Sequence, residues 1–161
     1  MAIPVAKLNH AVLYVRDLDR SVGFYQRVFG FEEIAREGGV MAFLRASGST
    51  NHHDLGLMTV GPNAPSPPRG ATGLYHLAWE VPSIEDLAAA ASLLTEEGAL
   101  SGQSDHGATK SLYGRDPDGN EFELMWMVPR DQWGEYGQRA IVAPLDLRKE
   151  LARFGDRKAQ S

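Results

Sequence analysis

The side chains that could hold a metal in this chain of 161 residues are histidines and carboxylates, because the sequence contains no cysteine. The absence of thiols excludes disulfides, thiolate zinc sites, iron–sulfur clusters and a cysteine nucleophile. A metal site would therefore consist of imidazole, carboxylate and water, which suit divalent metals such as Fe(II), Mn(II), Zn(II) or Ni(II). The five histidines are His10, His52, His53, His76 and His106.

Two of these histidines lie at matching positions in similar segments. Residues 8–15 read LNHAVLYV and residues 74–81 read LYHLAWEV, so His76 follows His10 with an offset of 66 residues. A single strand histidine usually packs and hydrogen-bonds, but a pair repeated at one register favours a shared role. If the two halves of the chain pair, both histidines can point into one cavity.

A third candidate ligand lies in the turn and strand DPDGNEFEL, residues 116–124. Glu121 and Glu123 alternate onto one face of this strand, opposite the apolar residues. Glu123 lies two residues deeper in the sheet, where an unpaired charge is costly without a cation. Two histidines and one carboxylate form a facial triad that leaves metal positions open for substrate and dioxygen. The pattern predicts a metal held by His10, His76 and Glu123.

The other histidines have different surroundings. His52 and His53 open the last predicted strand of the first half, so alternation predicts that they face opposite sides. One of them should then be exposed while the other enters the cavity. His106 lies in a loop-like stretch, and Tyr113 follows on the next predicted strand.

In each half of the chain, the caps and the apolar pattern predict the element order βαβββ. In the first half a helix begins after the cap Asp17 and ends at Gly30. In the second half it begins after Ser83, with Asp86 as capping partner, and ends at Gly98. The predicted strand segments that follow the helices are 31–36, 39–45 and 53–60, and then 99–104, 109–115 and 120–127.

The fold class is therefore α+β, with two βαβββ modules. Residues 1–128 are expected to form one domain. Within it, module one covers 6–60, a proline-rich linker covers 61–71 and module two covers 72–128. Residues 129–161 are expected to form a C-terminal extension with a short helix at 145–154.

Composition narrows the possible partners. The formal net charge of −5 argues against a nucleic-acid partner, which would require a basic face. No apolar run has the length of a membrane span, and the N-terminus lacks the layout of a signal peptide. We therefore expect no membrane partner, a cytoplasmic protein, and, on general grounds for a small enzyme, a homodimer.

The chain resembles the vicinal oxygen chelate superfamily, whose paired βαβββ modules build a metal site in a cupped sheet. The motifs that carry this resemblance are LNHAVLYVRDLDRSVGFYQRVFGFE at the start and DPDGNEFEL at the end, and the resemblance covers about residues 7–128. It implies a glyoxalase-like fold, in which the two βαβββ modules pair into one cupped mixed sheet around the metal site, and that residues 1–128 are a single vicinal oxygen chelate domain.

Finer motifs resemble the extradiol catechol dioxygenases. They are NHHDLGL, LYHLAWEV, DHGATKSLYGRDPDGN and EFEL. In that family the metal ligands correspond here to His10, His76 and Glu123, and the acid–base histidine corresponds to His53. His106 and Tyr113 correspond to the residues that orient the substrate. The resemblance implies Fe(II), or else Mn(II), with O2 as co-substrate and a small aromatic diol as substrate.

Other activities of the superfamily stay open at this point. A glyoxalase-I-like isomerase usually takes a fourth ligand from the strand where this chain has Gly56, which has no side chain to offer. Fosfomycin-type transferases also use two histidines and a glutamate, but would not need His53, His106 and Tyr113 together. A non-catalytic drug-binding protein is the third alternative, and relatives that bind bleomycin lack the metal ligands.

Overall fold

The computed structural model describes residues 2–68 and 70–155. Its backbone contacts divide the chain into two compact units, Met1–Arg69 and Gly70–Ser161. Each unit contains one βαβββ module, and each is described below by itself. In the described residues, no helix has both the length and the apolar character needed to cross a membrane.

The first unit forms a four-stranded mixed sheet with one helix. The chain order is β1 (Ala11–Val15), α1 (Leu18–Phe29), β2 (Glu32–Glu37), β3 (Met41–Arg45) and β4 (Leu55–Thr59). In the sheet the order is β1-β4-β3-β2, with β1 parallel to β4 and the other pairs antiparallel. The first and last strands of the module are therefore neighbours.

Helix α1 covers one face of this sheet. It begins where the Asp17 side chain accepts a hydrogen bond from the Arg20 N–H, and ends at Gly30, whose φ of +64° closes the last turn. The core between helix and sheet consists of buried apolar side chains, among them Val15, Val22, Tyr25, Leu44 and Leu57. On β1 the alternate residues Val12 and Tyr14 point to the opposite, exposed face.

The second unit repeats this topology. Its elements are β5 (Leu77–Glu80), α2 (Ile84–Glu96), β6 (Leu100–Asp105), β7 (Thr109–Arg115) and β8 (Glu121–Met127). The sheet order is β5-β8-β7-β6, with β5 parallel to β8. At the start of α2 the Ser83 hydroxyl accepts from the Asp86 N–H and donates to the Asp86 carboxylate, as the sequence predicts for a cap.

The α+β class and the two βαβββ modules are confirmed, but several strand boundaries differ from the prediction, and two of them concern the candidate ligands. Strands β1 and β5 begin at Ala11 and Leu77, three residues later than the patterns indicate. His10 and His76 therefore lie one residue before their strands. In the first unit the reason is visible, because Lys7 and Asn9 bind the side chain of Asn51 and residues 7–10 are not part of the sheet.

The C-terminal extension packs on the second unit. After β8 the chain forms two short 3-10 helices, Arg130–Gln132 and Gly134–Gly137, and then helix α3 (Leu147–Phe154). Helix α3 lies within the predicted stretch 145–154, and it packs against α2. The Phe154 ring also meets the Trp126 ring edge-on, with 5.1 Å between their centroids.

One charged side chain is buried between β7 and α3. The Lys110 ammonium is only 4% exposed, and lies 2.5 Å from an Asp105 carboxylate oxygen and 3.6 Å from Glu150 Oε2. Glu150 belongs to α3 and is also buried. Because an unpaired buried charge is costly, this ion cluster ties α3 to the edge of the second sheet.

Replacing Lys110 by Met should lower the free energy of unfolding by about 3 kcal/mol, because it leaves the Glu150 carboxylate buried without its cation. Urea unfolding followed by circular dichroism measures this change. The matched control is Lys149→Met on the exposed side of α3, which should change stability by less than about 0.5 kcal/mol. Equal effects of the two substitutions would show that the buried cluster contributes nothing specific.

Candidate metal centre

In the second unit, His76 and Glu123 converge on the sheet face opposite α2. His76 Nε2 lies 3.1 Å from Glu123 Oε2, and the two side chains are 24% and 13% exposed. Strand pairing produces this contact, since β5 runs parallel to β8 with Ala78 opposite Glu123. When two ligand atoms each lie about 2.1 Å from the same metal ion, and their bonds to it meet at a right angle, the two ligand atoms are about 3 Å apart. The pair therefore fits neighbouring positions around a divalent metal.

The two glutamates of β8 have different partners, although they share a face. Glu121 Oε2 accepts a hydrogen bond of 2.7 Å from Arg115 Nη2, so a cation already neutralises it. Glu123 instead faces His76 and Tyr113, neither of which carries a fixed charge. His76 Nδ1 is buried and has no hydrogen-bond partner in the described part of the chain. The nitrogen and oxygen donors of His76 and Glu123 fit a metal such as Fe(II) or Mn(II).

Tyr113 and His106 extend this cluster. The Tyr113 hydroxyl lies 2.8 Å from His106 Nε2 and 3.4 Å from Glu123 Oε1. Burial, and next the Glu123 carboxylate, raise the pKa of the Tyr113 phenol above its usual value of 10.0. The phenol therefore keeps its proton at neutral pH. The second unit thus brings together four of the residues that the sequence indicates.

In the first unit, His10 is exposed and is oriented by its neighbour. His10 Nδ1 lies 2.9 Å from the side-chain oxygen of Asn9, which can only accept a hydrogen bond. The proton of a neutral ring is therefore on Nδ1, and Nε2 presents a lone pair. This is the arrangement in which the outer hydrogen bond of a metal-binding histidine fixes its tautomer.

His53 packs beside His10. Their ring centroids are 4.5 Å apart, and the His53 ring also meets Phe43 edge-on at 4.9 Å. Burial, and then repulsion from His10 and His52, lower the pKa of His53 below 6.5. The ring is therefore neutral near pH 7 and able to accept a proton.

The predicted placement of His52 and His53 on opposite faces of a strand is wrong. Strand β4 begins only at Leu55, and the two rings contact each other, with 3.0 Å between their Nδ1 atoms. Alternation between faces applies inside a strand, and these residues lie in the loop before it. His52 is nevertheless exposed, as one of the two was expected to be, and His53 is partly buried.

The loop that carries His53 is held by Asp54. Its carboxylate accepts hydrogen bonds from the Ala46 N–H, the Ser49 hydroxyl and the Asn51 amide, at 2.9, 2.7 and 2.7 Å. Burial by itself would raise the pKa of Asp54, but these three bonds outweigh it and the pKa lies below 3.8. Asp54 lies in the motif NHHDLGL, but the sequence indicated no role for it; its partners precede it by three to eight residues.

Asp54→Asn should destabilise the protein by about 1–3 kcal/mol, because an amide nitrogen cannot accept the bonds that a carboxylate oxygen accepts. Since the folded pKa of Asp54 is lowered, its contribution is complete above the unfolded value of 3.8 and is lost as the pH falls through the folded value. Urea unfolding from pH 7 to pH 2 should therefore show a smaller acid-dependent loss in the variant. An unchanged pH profile would contradict this role.

The two sheets differ at one equivalent position. Gly56 pairs with Val12 in the first sheet, as Glu123 pairs with Ala78 in the second. A Cβ atom at Gly56 would lie 3.1 Å from a Val12 methyl and 3.2 Å from the Met41 methyl, so even a small side chain is crowded there. The first unit thus provides no ligand at the position where the second provides Glu123.

The six predicted site residues divide between the units. His10 and His53 are neighbours in the first unit, and the others are neighbours in the second: His76, His106, Tyr113 and Glu123. Within each unit, over residues 2–68 and 70–155, no three histidine or acidic side chains form a metal site by themselves. The set of His10, His76 and Glu123 therefore stays a prediction.

Comparison with known proteins agrees with this fold. Residues 7–124 match the model of the Glyoxalase/Bleomycin resistance protein/Dioxygenase superfamily. This match covers more than half of the sequence, and the chain belongs to that superfamily. A solved glyoxalase/bleomycin resistance protein/dioxygenase domain from Frankia has a TM-score of 0.67 at 24% identity, covering 78% of this chain and 95% of that one. This likeness concerns the fold alone.

Two curated relatives are dioxygenases. The chain is 36% identical over 160 residues to a catechol-2,3-dioxygenase of Bacillus subtilis, covering 96% of this chain and 54% of that protein. It is 30% identical over 134 residues to a manganese-dependent 2,3-dihydroxybiphenyl 1,2-dioxygenase of Geobacillus genomosp. 3. That match covers 81% of this chain and 39% of that protein. The chain thus spans about half, or less, of the length of these relatives.

Proposed function

We propose that the protein is a metal-dependent extradiol dioxygenase that cleaves a small aromatic diol with O2. The observation that carries the proposal is the convergence of His76 and Glu123, extended by Tyr113 and His106. The identity to two diol dioxygenases supports it. In the reaction, one catechol and one O2 give one ring-opened semialdehyde that contains both added oxygen atoms.

The proposed metal ligands are His76 and Glu123, with His10 as the third. Fe(II) is proposed first because the resemblance to extradiol dioxygenases implies it, and Mn(II) second because one relative is named as manganese-dependent; the donor set suits both metals. When bound, the metal would hold both diol oxygens and dioxygen together and would stabilise the negative charge of the diol. Because His10 Nδ1 faces the Asn9 oxygen, the His10 atom that would bind the metal is Nε2.

The other residues handle protons and orientation. His53 is neutral at pH 7 and would accept a proton from a diol hydroxyl, then return it during ring opening. Tyr113 and His106 would orient the diol: the Tyr113 hydroxyl oxygen lies beside Glu123 and can accept a hydrogen bond from a diol hydroxyl, and His106 holds that Tyr113 hydroxyl at 2.8 Å. Gly56, crowded and without a ligand, argues against a glyoxalase-I-like isomerase with four protein ligands.

The activity can be tested directly. Metal-free protein is loaded anaerobically with Fe(II) or Mn(II) and mixed with catechol, dihydroxyphenylalanine or 2,3-dihydroxybiphenyl before oxygen is admitted. We expect a yellow ring-cleavage product and one O2 consumed for each diol. No product and no oxygen uptake with either metal across these three diols would refute the dioxygenase proposal.

Variants separate metal binding from proton transfer. Glu123→Ala should lose at least about 90% of the bound metal, whereas Glu121→Ala on the same strand face should retain it. His53→Ala should retain the metal but lower kcat about 10²- to 10⁴-fold, whereas His52→Ala should change kcat less than about threefold. Metal content is measured by atomic emission and kcat by oxygen uptake. Full metal retention in Glu123→Ala would contradict the ligand assignment.

A further inference from the structure

The turn between β6 and β7, which carries His106, is covered by the C-terminal extension. Gly107 in this turn has a φ of +79°, and the Tyr136 ring lies so close that a Cβ atom would overlap it. The Asp105 carboxylate also accepts from the Gly107 N–H at 2.7 Å and binds the buried Lys110. Contacts from more than one element therefore fix this turn.

Residues 141–145, here called the strap, run along β6, the edge strand of the second sheet. The Asp105 N–H donates to the Ala143 carbonyl at 2.8 Å, and the Ala143 N–H donates to the Asp105 carbonyl at 2.9 Å. The Gln103 amide donates to the Leu145 carbonyl at 3.0 Å. These bonds set the strap at a fixed register beside the turn.

The strap also contacts His106 itself. The Ile141 carbonyl lies 2.9 Å from His106 Nδ1. A carbonyl oxygen can only accept, so Nδ1 carries a proton, and in the neutral ring Nε2 then has only a lone pair. The Tyr113 hydroxyl, 2.8 Å from Nε2, must therefore donate its single proton to His106. The longer distance of 3.4 Å from Tyr113 to Glu123 Oε1 agrees with this direction.

We propose that the strap is a positioning segment of the active site, which fixes the Nδ1–H tautomer of His106 and thereby directs the Tyr113 proton away from Glu123. The Glu123 carboxylate then keeps the lone pairs of both oxygens for a cation. The effect of the strap on turnover rests on the proposed dioxygenase function. The effect of the strap on the His106 tautomer does not rest on that function, and it can be measured in the metal-free protein.

The tautomer is measured by long-range ¹H–¹⁵N NMR of histidine-labelled, metal-free protein, with His106→Gln used for assignment. In the unsubstituted protein, His106 should be in the Nδ1–H form. Ala143→Pro removes the N–H that binds Asp105 and should give a mixture with the Nε2–H form. Ala143→Ser retains that N–H and should behave as the unsubstituted protein. A predominant Nε2–H form in the unsubstituted protein would overturn the proposal, whatever the activity assay gives.

A double-mutant cycle tests the route to turnover. Ala143→Pro should lower kcat/KM about tenfold in the unsubstituted background, but less than about twofold in the Tyr113→Phe background. A general loss of structure would lower kcat/KM by the same factor in both backgrounds, and that result would refute the role of the strap. Should Ala143→Pro fail to fold, Gln103→Leu, which removes the side-chain bond to the Leu145 carbonyl, takes its place in both experiments. If no variant or parent shows activity, the NMR outcome still decides the proposal.

Discussion

The parallel pairing of the first and last strands in each module is the constraint on which the site depends. In the second unit it sets Ala78 opposite Glu123, and so places the Glu123 carboxylate beside His76, the residue before β5. Because side chains alternate, a slip of one residue would turn Glu123 toward the helix and Phe122 toward the site. The burial of Phe122 and Leu124 on the helix side resists that slip. Apolar packing on one face thus determines the chemistry on the other.

The two modules share this topology but use it differently. The first has Gly56 at the position where the second has Glu123, and its functional candidates come from the segments before β1 and β4. Those segments lack a strand ladder, so side-chain hydrogen bonds hold them. Asn9 orients His10, and Asp54 organises the loop that carries His53. The polar network of the first unit replaces the backbone pairing that positions Glu123 in the second.

In both units, acceptors that cannot donate set the direction of hydrogen bonds. The Asn9 side-chain oxygen determines that the ring proton of His10 is on Nδ1, and the Ile141 carbonyl determines the same for His106. The second case joins the C-terminal extension to the site, and the buried pair of Lys110 and Glu150 fastens helix α3 to the same sheet. The extension is thus an integral part of the second unit, with contacts that reach the residues beside the metal candidates.

The sequence by itself determined the module topology, since the caps Asp17 and Ser83 and the apolar spacing of both helices are local signals. It also indicated the imidazole and carboxylate candidates, because the absence of cysteine and the repeat of His10 at His76 can be read without a structure. The arrangement of His52 and His53 was predicted wrongly, because alternation was extended past the start of β4 at Leu55. The tertiary structure alone decided that Glu121 binds Arg115 on the neighbouring strand, and that the Ile141 carbonyl contacts His106. The first contact depends on the pairing of β7 with β8 and the second joins residues 35 positions apart, whereas sequence periodicity carries information only about near neighbours within one element.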